Sequence, residues 1–195
     1  MSIATYAELK SSIADWMKRS DLTSVIPDFI TLAEADMLHR LRLLEFETAG
    51  SVTLTSGVAT IPTGLLSIRS ISLSGEKQLR YLAPQSFDQH LADTEAADAI
   101  YYTLTGTSIK VSPADSGTLD IKYTAKFTPL SDSNTTNAVL TNWPHAYLFG
   151  ALSYGDLHIR KDPTANKAVF ESAMQVIVEQ NSYRKYPTGL AVKVA

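Results

Sequence analysis

Few side chains in this 195-residue sequence are of types and spacings that could do chemistry. Four histidines occur, His39, His90, His145 and His158. None falls in a His-Glu-x-x-His frame or at another metal-ligand spacing, so surface or helix-capping roles are expected and no metal is assigned. Gly150-Ala151-Leu152-Ser153-Tyr154-Gly155 superficially looks like a hydrolase nucleophile elbow. It has one residue too many before Ser153, and it lies inside a helical pattern rather than between a strand and a helix. Its small residues are expected instead to let two helices approach closely. Glu34, Glu45 and Glu47 supply carboxylates of the kind a glycosidase needs as acid and as base or nucleophile. Carboxylates on a helix surface are far commoner, and that is the expectation here. There is no cysteine, which removes disulfides, thiolate nucleophiles and cysteine-based zinc sites together. No glycine-rich phosphate loop is present, so no cofactor is expected and no catalytic residue is assigned. Asn134-Thr135-Thr136 matches a glycosylation sequon and is read as coincidence.

The charge balance narrows the partners. The net charge is −3, from 17 basic and 20 acidic side chains. No third of the chain is strongly basic, which argues against a tight grip on nucleic acid through phosphate neutralisation. The one local bias is Arg184, Lys185 and Lys193, with no acid after Glu179. It fits a solvated end or a docking segment, and both readings stay open. No apolar run approaches the ~18 residues of a membrane span. The start lacks a basic segment followed by an apolar core, so a soluble, cytoplasmically made protein is expected.

Positioning elements follow from the hydrophobic period, which changes twice along the chain. Thr5-Tyr6-Ala7-Glu8 reads as a capping box, ahead of a helical stripe of Tyr6, Leu9, Ile13, Trp16 and Met17 ending near Arg19. A second helix has Pro27 and Asp28 in its first turn. Its stripe is Ile26, Ile30, Ala33, Met37, Leu41 and Leu44, and its other face carries Asp36, His39, Arg40 and Arg42. From about Phe46 the period falls to two. Val52–Thr55, Ser56-Gly57 and Val58–Ile61 form a predicted hairpin. Leu66 and Ile68 are out of phase with Ile71 and Leu73, which a bulge near Arg69-Ser70 would repair. Further strands are expected around Lys77–Tyr81, Ile100–Leu104, Ile109–Val111 and Leu119–Phe127, with a short helix starting at Ser86.

Ser131–Asn137 is a polar boundary, after which the helical period returns. A third helix opens at Pro144 and runs to about Arg160, apolar nearly all round through Trp143, Tyr147, Leu148, Ala151, Leu152 and Leu157, as a helix buried between others is. Asp162-Pro163 caps a fourth, with a stripe of Phe170, Ala173, Met174 and Ile177, running to about Tyr186. Neither helix pair can bury its stripe alone. The expected fold is therefore α+β: a four-helix bundle with an antiparallel β sandwich or open barrel inserted between helices two and three. The expected domains are a discontinuous helical one (1–47 plus 131–186), an inserted β domain (48–130) and an extended C-terminal tail (187–195).

These residues carry a resemblance. Thr5-Tyr6-Ala7-Glu8-Leu9-Lys10, Ile13-Ala14-Asp15-Trp16, Arg19-Ser20-Asp21-Leu22, Ile26-Pro27-Asp28-Phe29-Ile30 and Leu32-Ala33-Glu34 resemble the N-terminus of phage adaptor proteins. Leu41-Arg42, Glu45, Ile61-Pro62, Tyr81-Leu82 and Asn142-Trp143-Pro144 with Tyr147-Leu148 and Ala151-Leu152 continue the likeness. Asp36-Met37-Leu38-His39 departs from it, where a more basic, polar helix face is usual. The family is that of the head-to-tail adaptors of short-tailed bacteriophages (podoviruses), also called tail accessory factors or tail tubular A proteins.

The resemblance implies a structural virion protein at the head–tail junction, made in the host bacterial cytoplasm. It implies a homo-oligomeric ring of about twelve copies beneath the portal protein. The ring would seal the DNA-filled head and carry the tail nozzle and the fibres or spikes. DNA would pass through its lumen during ejection without sequence-specific binding, and no membrane is involved. The family's C-terminal helix and tail dock on the portal, which maps to roughly residues 163–195. Arg184, Lys185, Tyr186, Leu190, Val192 and Val194 are the docking candidates there; the last three alternate as a strand-forming segment does. Arg40 and Arg42 are the candidates for contact with a neighbouring subunit. The alternatives are a virion-associated peptidoglycan-degrading enzyme, which Glu34 would serve, and a non-viral oligomerisation or adhesin module.

Overall fold

The computed structural model describes residues 3–75, 78–92, 100–112 and 116–185. The chain divides into two compact units, Met1–Glu45 with Phe127–Ala195, and Phe46–Lys126. Among the described residues there are six α-helices and one seven-stranded sheet.

In the first unit, α1 (Tyr6–Met17) begins at the predicted capping box. The Glu8 N–H donates to Thr5 Oγ1 at 3.3 Å and the Thr5 N–H to Glu8 Oε2 at 3.1 Å. The helix stops where Lys18 turns left-handed, at φ 52°. Helix α2 (Ile26–Arg40) buries Ile26, Ile30, Ala33 and Met37, and Leu41 just beyond it. A five-residue helix, α4 (Ala138–Asn142), was not anticipated; the Asn137 side chain caps it by accepting from the Leu140 N–H. Helix α5 (Pro144–His158) starts at its predicted proline. It packs against α1, α2, α4 and α6 (Thr164–Lys185). That central place explains its near-uniform apolarity, with one correction: Leu157, expected inside, is 57% exposed near its end. Helix α6 buries the predicted Phe170, Ala173, Met174 and Ile177.

Close approach to α5 depends on glycine. A Cβ at Gly150 would lie 3.0 Å from the Ala33 Cβ and 3.1 Å from the Phe170 ring. One at Gly155 would lie 2.8 Å from the Met17 thioether. The small residues around Ser153 therefore serve helix packing. The Ser153 hydroxyl itself is buried and donates to the Gly150 carbonyl at 2.7 Å.

The second unit is a single sheet in the order β3-β7-β1-β2-β6-β5-β4. Strands β1 (Glu47–Thr55) and β2 (Val58–Thr60) are joined by Ser56 and Gly57, both at positive φ as a two-residue hairpin turn of the primed type requires. Strand β3 (Leu65–Leu73) shifts register against β7 (Ser116–Ala125) between Ile68 and Ser70, at the predicted bulge, and again between Leu65 and Ser67. Strands β5 (Tyr101–Thr105) and β6 (Ser108–Ser112) pair antiparallel.

Two expectations change here. Of the two forms expected, the sandwich is not found: there is one sheet, and it nearly closes on itself, as an open barrel does. Ser72 bridges Gln78, and the Leu79 N–H donates to the Ile71 carbonyl at 2.8 Å, linking the end of β3 to the approach to β4 (Arg80–Tyr81). It is not wholly antiparallel either. Strands β4 and β5 run parallel, because α3 (Pro84–Ala92) is a crossover between them rather than a helix in a hairpin loop. Inside lie Leu54, Ile71, Leu79, Ile109, Leu119 and Ile121. Phe127, expected at the end of the last strand, follows β7 and is buried as part of the helical unit.

Candidate assembly surface

The end of α6 is fastened to the segment that leaves α2. Residues 41–45 have left the helix, and their peptide groups need partners from elsewhere. The Asn181 side chain meets two of them, accepting from the Leu44 N–H at 3.0 Å and donating to the Arg42 carbonyl at 2.8 Å. Lys185 Nζ donates to that same carbonyl at 2.6 Å, and the Arg184 guanidinium pairs with the Glu45 carboxylate. Both cations lie in the last turn of α6, where the helix dipole favours positive charge. Arg42 closes the end of α2 by donating to the carbonyls of Leu38 (3.0 Å) and Leu41 (2.9 Å). The structure thus gathers Arg42, Arg184 and Lys185 around one connector. Arg40 stands apart, paired with Glu171 of α6 at 2.8 Å on the edge of an open groove of about 800 Å³. Tyr186, Leu190, Val192 and Val194 lie outside the described residues.

The three glutamates are engaged separately. Glu45 pairs with Arg184 and Glu47 with Arg69 at 2.9 Å. Glu34 departs from expectation, because it is buried rather than on the surface. Its Oε1 accepts from the Leu130 N–H and from the Tyr147 hydroxyl, both at 2.8 Å. Burial pushes both the Glu34 carboxyl and the Tyr147 phenol up from their ordinary values. Asn137 extends the network, donating to the Tyr147 oxygen at 2.7 Å and to the Thr128 carbonyl at 3.1 Å. The whole assembly pins the strand of chain returning from β7 onto α2 and α5, a structural task for a buried carboxylate. The signal in the sequence was faint: Glu34 neighbours Ala33 on the apolar edge of the α2 stripe.

Asp36, assigned to the polar face of α2, accepts from the Tyr154 hydroxyl of α5 at 2.7 Å, and burial pushes that phenol up to about 12. His39, His90 and His158 each occupy the last turn of a helix. His158 rests against Phe29 and His90 against Tyr101. Among the described residues no cluster of three or more histidine or acidic side chains is placed to hold a metal ion.

The described helical surface carries more apolar groups than its core pattern predicts. Trp16, assigned to the buried stripe of α1, is 59% exposed; its ring meets the edge of Phe149 and leaves most of the indole in solvent. On α6, Val169, Val176 and Tyr183 are exposed at seven-residue spacing, off the buried stripe, and Val178 is exposed beside the Arg40 groove.

The sequence model of the family described as SU10 adaptor protein matches residues 4–193, nearly the whole chain. The chain belongs to the SU10 adaptor protein family. As an SU10 adaptor it is a phage structural protein of the head-to-tail adaptor type, a virion component that associates with other virion proteins. No match was found among curated proteins. No described helix of this SU10 adaptor is long and apolar enough to cross a membrane.

Proposed function

We propose that this SU10 adaptor is the head-to-tail connector of a short-tailed phage. It assembles as a ring of about twelve copies beneath the portal, through heterologous contacts in which one face of each subunit meets a different face of the next. The ring seals the filled head, offers a platform to the tail nozzle and fibres, and leaves a channel for DNA. In this reading α1, α2, α5 and α6 act as a four-helix bundle, residues 46–126 form an inserted β domain, and residues 187–195 are the portal-docking tail. The observation that carries it is the family match across both units. The slightly acidic balance supports it, since a lumen without strong positive charge lets phosphates slide.

The end of α6 is suited to docking. The Arg184 side chain is 53% exposed, although the Glu45 carboxylate it pairs with is only 19% exposed. Its exposed side can meet a partner's carboxylate while it stays paired with Glu45. Arg184, Lys185 and Tyr186, followed by Leu190, Val192 and Val194, then present cations and an alternating apolar edge to the portal. Arg40, paired at the surface of the groove, is the counterpart toward a neighbouring subunit, with Arg42 holding the end of α2 behind it. The test is portal binding by the full chain and by a chain lacking residues 187–195. Loss of binding with an unchanged circular-dichroism melt supports the assignment; equal binding by both overturns it.

A further inference from the structure

We infer that Trp16 of one copy seats in the Arg40–Val178 groove of the next copy, and that this contact is what closes the ring. The inference rests on the ring reading above and adds the two faces to it. Three observations carry it. The first is the state of Trp16, an indole mostly in solvent yet held in place edge-on by Phe149. Tryptophan is the side chain that most often anchors an interface when it enters a pocket and is desolvated.

The second is the groove. It lies between the end of α2 and the outer side of α6, with Val178 offering exposed apolar surface above the buried Met174, and Arg40, Glu171 and Glu179 along its rim. It is open to solvent, so an indole can lie along it. The charges at the two places match. Glu171 is already neutralised by Arg40, whereas among the described residues Glu179 receives only the Gln175 amide, at 3.2 Å. Lys18 is exposed just past Trp16 at the end of α1, and no acidic partner is seen for it among the described residues. A Trp16 seated over Val178 brings Lys18 toward Glu179.

The third is placement. Helices α1 and α6 both pack on α5 while making at most marginal contact with each other. The knob and the groove therefore occupy different flanks of the same unit. A contact between unlike faces is heterologous, and repeated around the symmetry axis of a template it closes a ring. One indole and its surrounding turn bury well under the ~1,000 Å² that a stable free interface requires. The isolated chain should thus stay monomeric, and the contact should form once copies are lined up on a template.

The absence of cysteine makes a direct test clean. Lys18→Cys and Glu179→Cys, combined in one chain and bound to the portal ring of the same phage, are treated with a short bis-maleimide. The double variant is expected to give a ladder of covalent multimers. An equal mixture of the two single variants should stop at dimers, and either alone should stay monomeric. Self-linking of either single variant, or a ring that forms without any cross-link, overturns the assignment of faces while leaving the ring standing. Absence of any ring removes both. In parallel, Lys18→Glu and Glu179→Lys are each expected to weaken ring formation at least tenfold, and together to restore it. Failure of the double reversal to recover overturns the pairing.

Discussion

Two glycine-to-alanine substitutions in the same helix should have opposite consequences. Each removes the backbone freedom of a helical glycine, which favours the helix by up to about 1 kcal/mol, less at Gly155 in the last turn. At Gly150 the new methyl meets the Ala33 Cβ at 3.0 Å and the Phe170 ring at 3.1 Å. Ala33 is fixed to the backbone of α2, and both residues are buried, so neither can yield without shifting a helix. Overpacking of that kind costs about 1–3 kcal/mol, which outweighs the propensity gain. At Gly155 the obstacle is the flexible end of Met17, a half-buried side chain at the end of α1 that can swing to another rotamer. The propensity gain should then survive. Both tryptophans, Trp16 and Trp143, lie in the helical unit, so intrinsic fluorescence in urea reports on that unit. Gly150→Ala should lower the urea midpoint by roughly 0.3–1 M for each kcal/mol lost. Gly155→Ala should leave it unchanged or raise it. A Gly150→Ala chain as stable as the parent would refute the claim that α2 and α6 close on α5 through that glycine.

Glu34 should give the helical unit an unusual pH dependence. Its folded-state pKa is raised by burial, so the folded state favours the protonated carboxyl more than the unfolded chain does. Its contribution to stability is greatest below the ordinary glutamate value and is lost as the pH rises through the raised one. Glu34→Gln keeps an oxygen acceptor for Leu130 and Tyr147 and removes the charge, so its gain over the parent should grow from pH 4 to pH 7 in parallel urea titrations. A gain independent of pH would mean that Glu34 is not buried as described. Asn181→Ala leaves the Leu44 N–H and one bond of the Arg42 carbonyl unmade, and should cost about 1–3 kcal/mol by the same assay. A change under ~0.5 kcal/mol would show that water replaces the amide without loss.

What could be read from the sequence was local. The Thr5–Glu8 box, the Ser56-Gly57 turn, the Arg69 bulge and the α6 stripe each depend on residues within one or two turns of chain, and each is found in place. Readings that depended on distant partners fared worse. Trp16 sits on the stripe of α1 by spacing, but α5 meets only one side of its ring, through Phe149, and the rest stays exposed. Glu34 looked like a surface acid because nothing nearby announces Tyr147, 113 residues on. The parallel pairing of β4 and β5 is set by which edge of the sheet α3 crosses, which no local period records. Helix α4 is too short to have a period, and only the capping power of Asn137 hinted at it. For the assembly surface the sequence pointed to the basic end of α6, whereas the exposure of Trp16 and the groove beside Val178 needed the packed helices.

The most direct test of the connector account is mass photometry of the purified chain, alone and mixed with the portal ring of the same phage. A monomer that adds to the portal in about twelve copies, and does not assemble without it, is the predicted result. A chain that fails to associate with the portal at micromolar concentration would contradict the account.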